Sequence, residues 1–429
     1  MEQFQPQDGG LLAWSQVIAS FFINFCTLGL GNSFGAFQSY YEHNLLDSYT
    51  SSDISWIGTT QGFLLCIIGI FSGPLYDRGY IRSLLYVGTA LNVLGLVATS
   101  FANQFQWIIL SYGVALGLGC GVLYVPGQAI IQAYFTKRGA LATGISMSGS
   151  SIGGIVYPVL LRRLEQQVGF AWTCRIFAII NACLLAISCL LIRPRKTPET
   201  EPKSAPFNWQ ILFDWKIYLL GGAALLLNIT VDVPFFFVPT FVQDRLDISP
   251  VVGDSLLAGM NASSLAGRLF LGWVAGHFRP LNIWHYCILA ASILLYCWSS
   301  IGNLAGMIAF VIVYGAIVGG LIALIPSSIR DIWPDQSVLG TRIGLVEGFQ
   351  GIGYLVGSPI AGAIMESPAG YLGVSLFCGS LYVVQFLMVG IFTWRRPVIK
   401  RQEIPGNFLP LETLHDVTGT REGANQETV

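Results

Sequence analysis

About twelve stretches of this sequence stay apolar for the roughly 20 residues that a helix needs to cross the hydrocarbon core of a bilayer, about 30 Å at 1.5 Å per residue. In lipid every backbone polar group must find a partner within the protein, so spanning segments are helices or a closed barrel, and runs of this length select helices. The first six extend approximately from Trp14 to Phe37, Ile54 to Tyr76, Arg82 to Phe101, Trp107 to Phe135, Gly139 to Leu161 and Trp172 to Ile192. The second six extend from Trp215 to Phe241, Val251 to Gly276, Ile283 to Ile301, Ala305 to Ile329, Leu339 to Met365 and Leu372 to Trp394. Composition agrees: of 429 residues, 53% are hydrophobic and only 10% charged, a balance unlike that of soluble domains. The expected fold is all-α with twelve transmembrane helices, and the lipid bilayer is the first partner.

Several function classes drop out on the same numbers. A net charge of −1 leaves no basic surplus for nucleic acid. The nine cysteines lie in or beside apolar runs without CxxC spacing, and the four histidines form no HExxH, so neither a disulfide framework nor a metal site is expected. GxG fragments such as Gly117-Leu-Gly119 lie inside hydrophobic spans and cannot cradle phosphate. No nucleophile and base pair is apparent, no cofactor is implied, and an enzyme is not expected. No protein partner is evident. The stretch before Trp14 has neither Lys nor Arg and no small-residue cleavage site, so the first span reads as an uncleaved anchor.

Lys and Arg are retained on the cytoplasmic side of short loops. They concentrate in the even-numbered loops and the C-terminal tail, including Arg78, Arg82, Lys137, Arg138 and Arg279, which places both termini inside. Arg162, Arg163 and Arg245 are exceptions near helix ends. Residues 193–213, rich in Pro and charge, form the one long polar interruption and read as a cytoplasmic linker between bundles at 1–192 and 214–394, with a polar tail at 395–429. Across that linker Gly144, Ile152 and Gly153 recur as Gly344, Ile352 and Gly353, and Tyr112-Gly113 with Pro126 recurs as Tyr314-Gly315 with Pro326. Chance recurrence of Gly and Ile in membrane helices is the alternative to a duplication. Two homologous six-helix bundles would rock about a site at their interface, which is alternating access. Small residues crowd the fifth span (Gly144, Gly149, Gly153) and the eleventh (Gly348, Gly353, Gly357), where they serve either a moving interface or static packing within each half.

The turn after the second span reads Gly73-Pro-Leu75-Tyr-Asp77-Arg78-Gly79-Tyr-Ile-Arg82 and resembles the loop motif GxLxDRxGR(R/K) of the major facilitator superfamily. Physically, Gly73 lets a neighbour approach, Asp77 can cap a facing helix N-terminus, and the arginines mark the cytoplasmic edge. A weaker echo, Gly272 to Arg279, follows the eighth span. Tyr134-Phe135-Thr-Lys137-Arg138, with Gly144, Gly149 and Gly153 beyond it, is similar to the second signature of monocarboxylate porters, and Asp8-Gly9-Gly10 with Trp14 resembles their first, its Trp one residue late. The Pro234-to-Pro239 run and Gly267-Arg268 look like the fungal branch. The resemblance implies the major facilitator fold and a substrate-binding arginine at Arg268. It also implies a proton-carrying aspartate one turn earlier, where this chain has Ser264, so the animal coupling mechanism is not carried over.

Ionisable residues at membrane depth are functional candidates. Arg268 can grip a carboxylate with two hydrogen bonds. Glu347 is the expected partner, since both lie about 10 to 15 Å from the cytoplasmic helix ends at 1.5 Å per residue. Asp232 is a second proton-site candidate, read as too far toward the outer end to pair with Arg268. Arg175 is structural. Polar residues on the candidate cavity helices include Asn24, Asn32, Gln38, Tyr124, Gln128 and Asn228, of which Asn32, Tyr124, Gln128 and Asn228 are taken with Arg268 as substrate contacts. Interhelical hydrogen bonding is the competing role for each. The expected function is a secondary transporter moving an organic acid or a fungal secondary metabolite, by efflux or by proton-linked uptake, at the cell membrane or an organelle such as the vacuole. A transporter-derived nutrient sensor is the remaining alternative, disfavoured by the short tail.

Overall fold

The computed structural model describes residues 9–193, 209–333, 335 and 337–394. Asp8, all of the expected linker but its ends, and the tail lie outside the described residues.

Among the described residues ten helices are long and apolar enough to cross a membrane: α1 Leu11–Asn32, α2 Ser52–Asp77, α3 Ile81–Thr99, α4 Phe105–Tyr134, α5 Gly139–Val168, α6 Phe170–Leu191, α7 Trp215–Leu246, α9 Pro280–Trp298, α10 Leu304–Ile332 and α12 Gly370–Trp394. Two more, α8 Pro250–His277 and α11 Leu339–Glu366, have 28 residues each but fall outside that set. They are long enough to span. Their polar load, Asn261, Ser263 and Arg268 on α8 and Arg342, Glu347 and Gln350 on α11, is what lowers their apolarity. The twelve expected spans are all present as helices, and no strand occurs among the described residues.

Helix ends follow local chemistry more closely than apolar content. Thr50 and Asp53 form a reciprocal capping box at the start of α2, with Asp53 N donating to Thr50 Oγ1 at 3.1 Å. Asp214 accepts from Lys216 N before α7, and Asn303 accepts from Gly306 N at 2.7 Å at the start of α10. Gly79 and Gly169 turn the chain between α2 and α3 and between α5 and α6 at φ of 83° and 81°, which only glycine adopts freely. The apolar criterion ends α5 at Leu161, whereas the helix runs through Arg162 and Arg163 to Val168. A helix has no reason to stop where its residues become polar. The end of the expected linker is likewise ordered, as a short 3₁₀ turn over Trp209–Phe213.

The sequence repeat returns as a repeat of contacts. Tyr112 on α4 donates its hydroxyl to Leu30 O on α1 at 3.3 Å, and Tyr314 on α10 donates to Val231 O on α7 at 3.2 Å. Gly153 lies so close to α1 that a methyl group there would press on the Gly29 Cα, and Gly353 meets Leu225 O of α7 in the same manner. Both first helices of the two halves are irregular near the same depth. α1 contains a π-helical stretch at Phe25–Gly29 and a turn at Ser33, then continues as Phe34–Tyr40 and Tyr41–Leu45. α7 breaks at Val231–Asp232, ahead of Pro234, which sits in the first turn of its second segment. Elsewhere prolines inside spans leave the helices unbroken, as at Pro126 and Pro326.

Candidate functional site

Where the two halves meet, α2, α4 and α5 pack against α8, α10 and α11. Backbones approach through glycine. A Cβ on Gly73 would collide with Gly340 O, and one on Gly344 with Gly69 O, so α2 and α11 touch along their length. The other diagonal uses equivalent positions: Gly144 on α5 faces Arg268 O on α8, and Gly272 on α8 faces Ala140 O on α5.

At the end of α2, Asp77 reaches the first turn of α11. Its Oδ1 accepts from Gly340 N at 2.8 Å, and its Oδ2 accepts from Thr341 N at 2.7 Å and from Thr341 Oγ1 at 2.6 Å. The carboxylate thus occupies the positive end of the α11 dipole and satisfies two N–H groups that have no partner within the helix. Arg78 is half-buried and Arg82 exposed, and neither forms an ion pair among the described residues. A polar cluster ties α4 to α10 nearby: Gln132 Nε2 donates to Ser327 Oγ at 3.1 Å and, within the first half, to Thr143 Oγ1 at 2.8 Å, while Arg330 donates to Gln132 O.

Beyond these ties lies a cavity of about 740 Å³, including the part open to solvent. Arg268, Asp232, Glu347, Asn32, Tyr124 and Asn228 all line it. Asn32 is exposed, whereas Arg268 and Glu347 retain 5% and 4% of their surface. Gln128 is not part of the lining. It is fully buried and donates to Asn24 Oδ1 at 3.0 Å, while Asn24 donates to Ser146 Oγ at 2.8 Å, so both amides serve interhelical bonding between α1, α4 and α5. Gln38 is also spent locally, donating to Glu42 at 2.9 Å.

The expected Arg268–Glu347 ion pair is absent. Arg268 Nη1 instead donates to Met147 O and Ser150 Oγ on α5, which turns the guanidinium toward the first half and away from α11. Asp232 is nearer than its sequence position implied: it shares the cavity with Arg268 and the two attract one another, although they form no ion pair. Asp232 stands at the break in α7, between its two helical segments. Arg268 Nε is buried with no hydrogen-bond partner in the protein. A guanidinium in low dielectric with an unfilled donor and no paired carboxylate has the chemistry to hold an anion. Gln61, Gln350 and Tyr354 also line the cavity and escaped the sequence reading. An amide inside an apolar span, as at Gln61, was the signal that could have flagged them.

Arg175 is structural, donating to Ser100 Oγ at 3.2 Å and lying 4.7 Å from the Phe101 ring centroid. The two signature segments meet in space, because Trp14 packs edge-on against Phe135 with ring centroids 5.2 Å apart. Tyr134 closes that corner by donating to Arg193 O at 2.8 Å, and Gly149 takes the backbone of α1 at Phe21 O. Lys137 and Arg138 stand at the turn into α5, while Gly9 and Gly10 precede α1.

Comparison with known proteins agrees with this architecture. The family model described as Major Facilitator Superfamily matches residues 12–314. Over 377 residues the chain is 36% identical to the MFS-type transporter pynF of Aspergillus niger, covering 87% of each protein. It is 32% identical over 376 residues to the aspyridones efflux protein apdF of Emericella nidulans, covering 87% of this chain and 76% of that one. It is 34% identical over 364 residues to the agnestins efflux protein AgnL12 of Paecilomyces divaricatus, covering 85% and 83%. Among solved structures, the transporter FucP in its outward conformation superposes with a TM-score of 0.69 at 15% identity, over 88% of this chain and 99% of that one. With twelve helices, a duplicated interface and a cavity between the halves, the chain belongs to the Major Facilitator Superfamily and is a multi-pass membrane transporter, not an enzyme.

Proposed function

We propose that this transporter moves an organic acid of fungal secondary metabolism out of the cell across the cell membrane, with Arg268 holding the acid group. The observation that carries the reading is the buried guanidinium at the cavity wall, free of any carboxylate and with Nε unfilled. The efflux names of relatives that align over most of both chains support the direction and the cargo class. Asn32, Tyr124 and Asn228 complete the polar lining, the tie from Asp77 to α11 is the cytoplasmic gate, and residues 1–192 and 214–394 are the two rocking units. The paired signatures around Trp14 and Phe135 favour the monocarboxylate porter branch.

Asp232 and Glu347 support a second reading, in which the same site runs a proton-linked carrier that also works in the uptake direction. Both carboxylates line the cavity without a cationic partner, so either can exchange a proton with the solvent that reaches the site. Labelled monocarboxylates and aromatic acids should be followed in cells expressing the wild type, Arg268→Ala or Glu347→Gln, with and without an imposed pH gradient. Acid efflux that disappears in Arg268→Ala at unchanged surface expression is the expected result. Loss of gradient-driven accumulation in Glu347→Gln, with exchange retained, establishes the proton-linked reading. Flux indifferent to Arg268 rules out the carboxylate site.

A further inference from the structure

Three side chains around the cavity share one unusual property. Arg268 Nε, Gln350 Nε2 and Gln61 Nε2 are all donors, all belong to residues at most 6% exposed, and none makes a well-formed hydrogen bond in the protein. They arrive from α8, α11 and α2, so both halves contribute. The Gln350 amide is fixed in orientation: Asn228 Nδ2 donates to Gln350 Oε1 at 2.8 Å and is itself held toward Ala224 O, which leaves Gln350 Nε2 as the outward group. Glu347 stands one turn earlier on α11, and Gln350 Nε2 makes no well-formed bond to it. Gln61 lies under Gly31 with Oε1 the nearer amide atom, and its side chain also approaches the Cys120 thiol of α4 without forming a well-formed bond to it.

From this convergence we propose that Gln61 and Gln350 select the cargo, which is an acid carrying further hydrogen-bond acceptors, such as ketone or lactone carbonyls, in place of a plain alkyl or aryl carboxylate. The inference rests on the reading of Arg268 as the acid-binding residue and extends it to the neutral end of the molecule. In the protein as it stands these donors have almost no surface open to water, so each is already unpaired. A cargo that brings a carbonyl oxygen to them supplies the partner they lack. If the cargo brings a methyl or methylene group, each remains buried and unpaired, which weakens binding by roughly ten- to a hundredfold per donor. Selection of this kind acts against the wrong molecule more than for the right one.

The test uses two acids of nearly equal shape, 4-acetylbenzoate and 4-isopropylbenzoate, with the methyl ester of the first as the uncharged control. Binding is read as thermal stabilisation of the purified full-length protein, and transport as counterflow in proteoliposomes. The wild type should bind 4-acetylbenzoate at least about tenfold more tightly than 4-isopropylbenzoate. Gln61→Met or Gln350→Met should erase most of that preference by weakening the acetyl compound alone, with transport of 4-isopropylbenzoate retained as proof of folding. Equal affinity for the two acids in the wild type, or a preference untouched by both substitutions, overturns the proposal while the role of Arg268 stands. Binding of the methyl ester as tightly as the acid, or binding of neither acid, overturns the carboxylate reading and this proposal with it.

Discussion

The two seams between the halves, α2 against α11 and α5 against α8, occupy equivalent places in the repeat and fasten themselves differently. Gly69 and Gly73 of α2 correspond to Arg268 and Gly272 of α8, and Gly344 of α11 corresponds to Gly144 of α5. Both seams therefore bring backbone to backbone. Along α2 the ionic tie stands at the helix end, where Asp77 caps α11, and the cavity end is glycine. Along α8 the equivalent of Asp77 is Gly276, while the charged residue has moved to the cavity end as Arg268. Duplication has kept the close approach and separated two duties: one seam is fastened at the membrane edge, the other where cargo sits.

Forcing the seams apart should give the largest effect. Gly73→Leu puts a side chain against Gly340 O and excludes the closed arrangement, with counterflow falling by on the order of a hundredfold or more at normal surface expression. Gly272→Ala is the milder counterpart, since its Cβ comes to 2.9 Å of Ala140 O, and a loss equal to that of Gly73→Ala would refute the asymmetry. Arg268→Ala should come next, lowering acid flux roughly 30- to 100-fold through loss of a charge-assisted pair, with little change in flux of an uncharged analogue. Asp77→Asn should shift the closed-to-open balance by about tenfold, because a neutral amide gains less from a helix N-terminus and cannot accept from both N–H groups and the hydroxyl as well. Labelling of a cavity cysteine from the cytoplasmic side would report that shift. Ser150→Ala, which removes one of two bonds from Arg268 to α5, should change half-saturation for the acid by only about two- to threefold.

Much of this architecture is written locally and so could be read before the fold was known. Apolar length gives the spans, the Gly73–Asp77 motif gives the cap on α11, and Gly144 with Gly344 gives the repeat, because each depends on neighbours in sequence or on a fixed spacing. Which side of a span faces the cavity is another matter. A helix surrounded by lipid and other helices is apolar on most faces, so Gln128 and Tyr124, four residues apart on α4, looked alike although one is spent on Asn24 and the other lines the cavity. Depth alone was also too coarse for pairing. Counting residues from the helix ends puts Arg268 and Glu347 at one depth and Asp232 at another, yet the Arg268 guanidinium bonds to α5 and all three residues line one cavity.

On the proposed role of Arg268, its bonds to Met147 O and Ser150 Oγ would make one group both fastener and receptor, and this would distinguish a passenger from a blocker. A carboxylate that draws the whole guanidinium to itself would take both side-chain bonds away from α5 and leave the glycine contacts alone to hold the seam. A ligand content with Nε alone leaves both stitches in place and fills the cavity of a carrier that stays shut. Pharmacology of such a protein would turn on which nitrogen a compound engages, and two molecules of equal affinity could differ entirely in whether they travel.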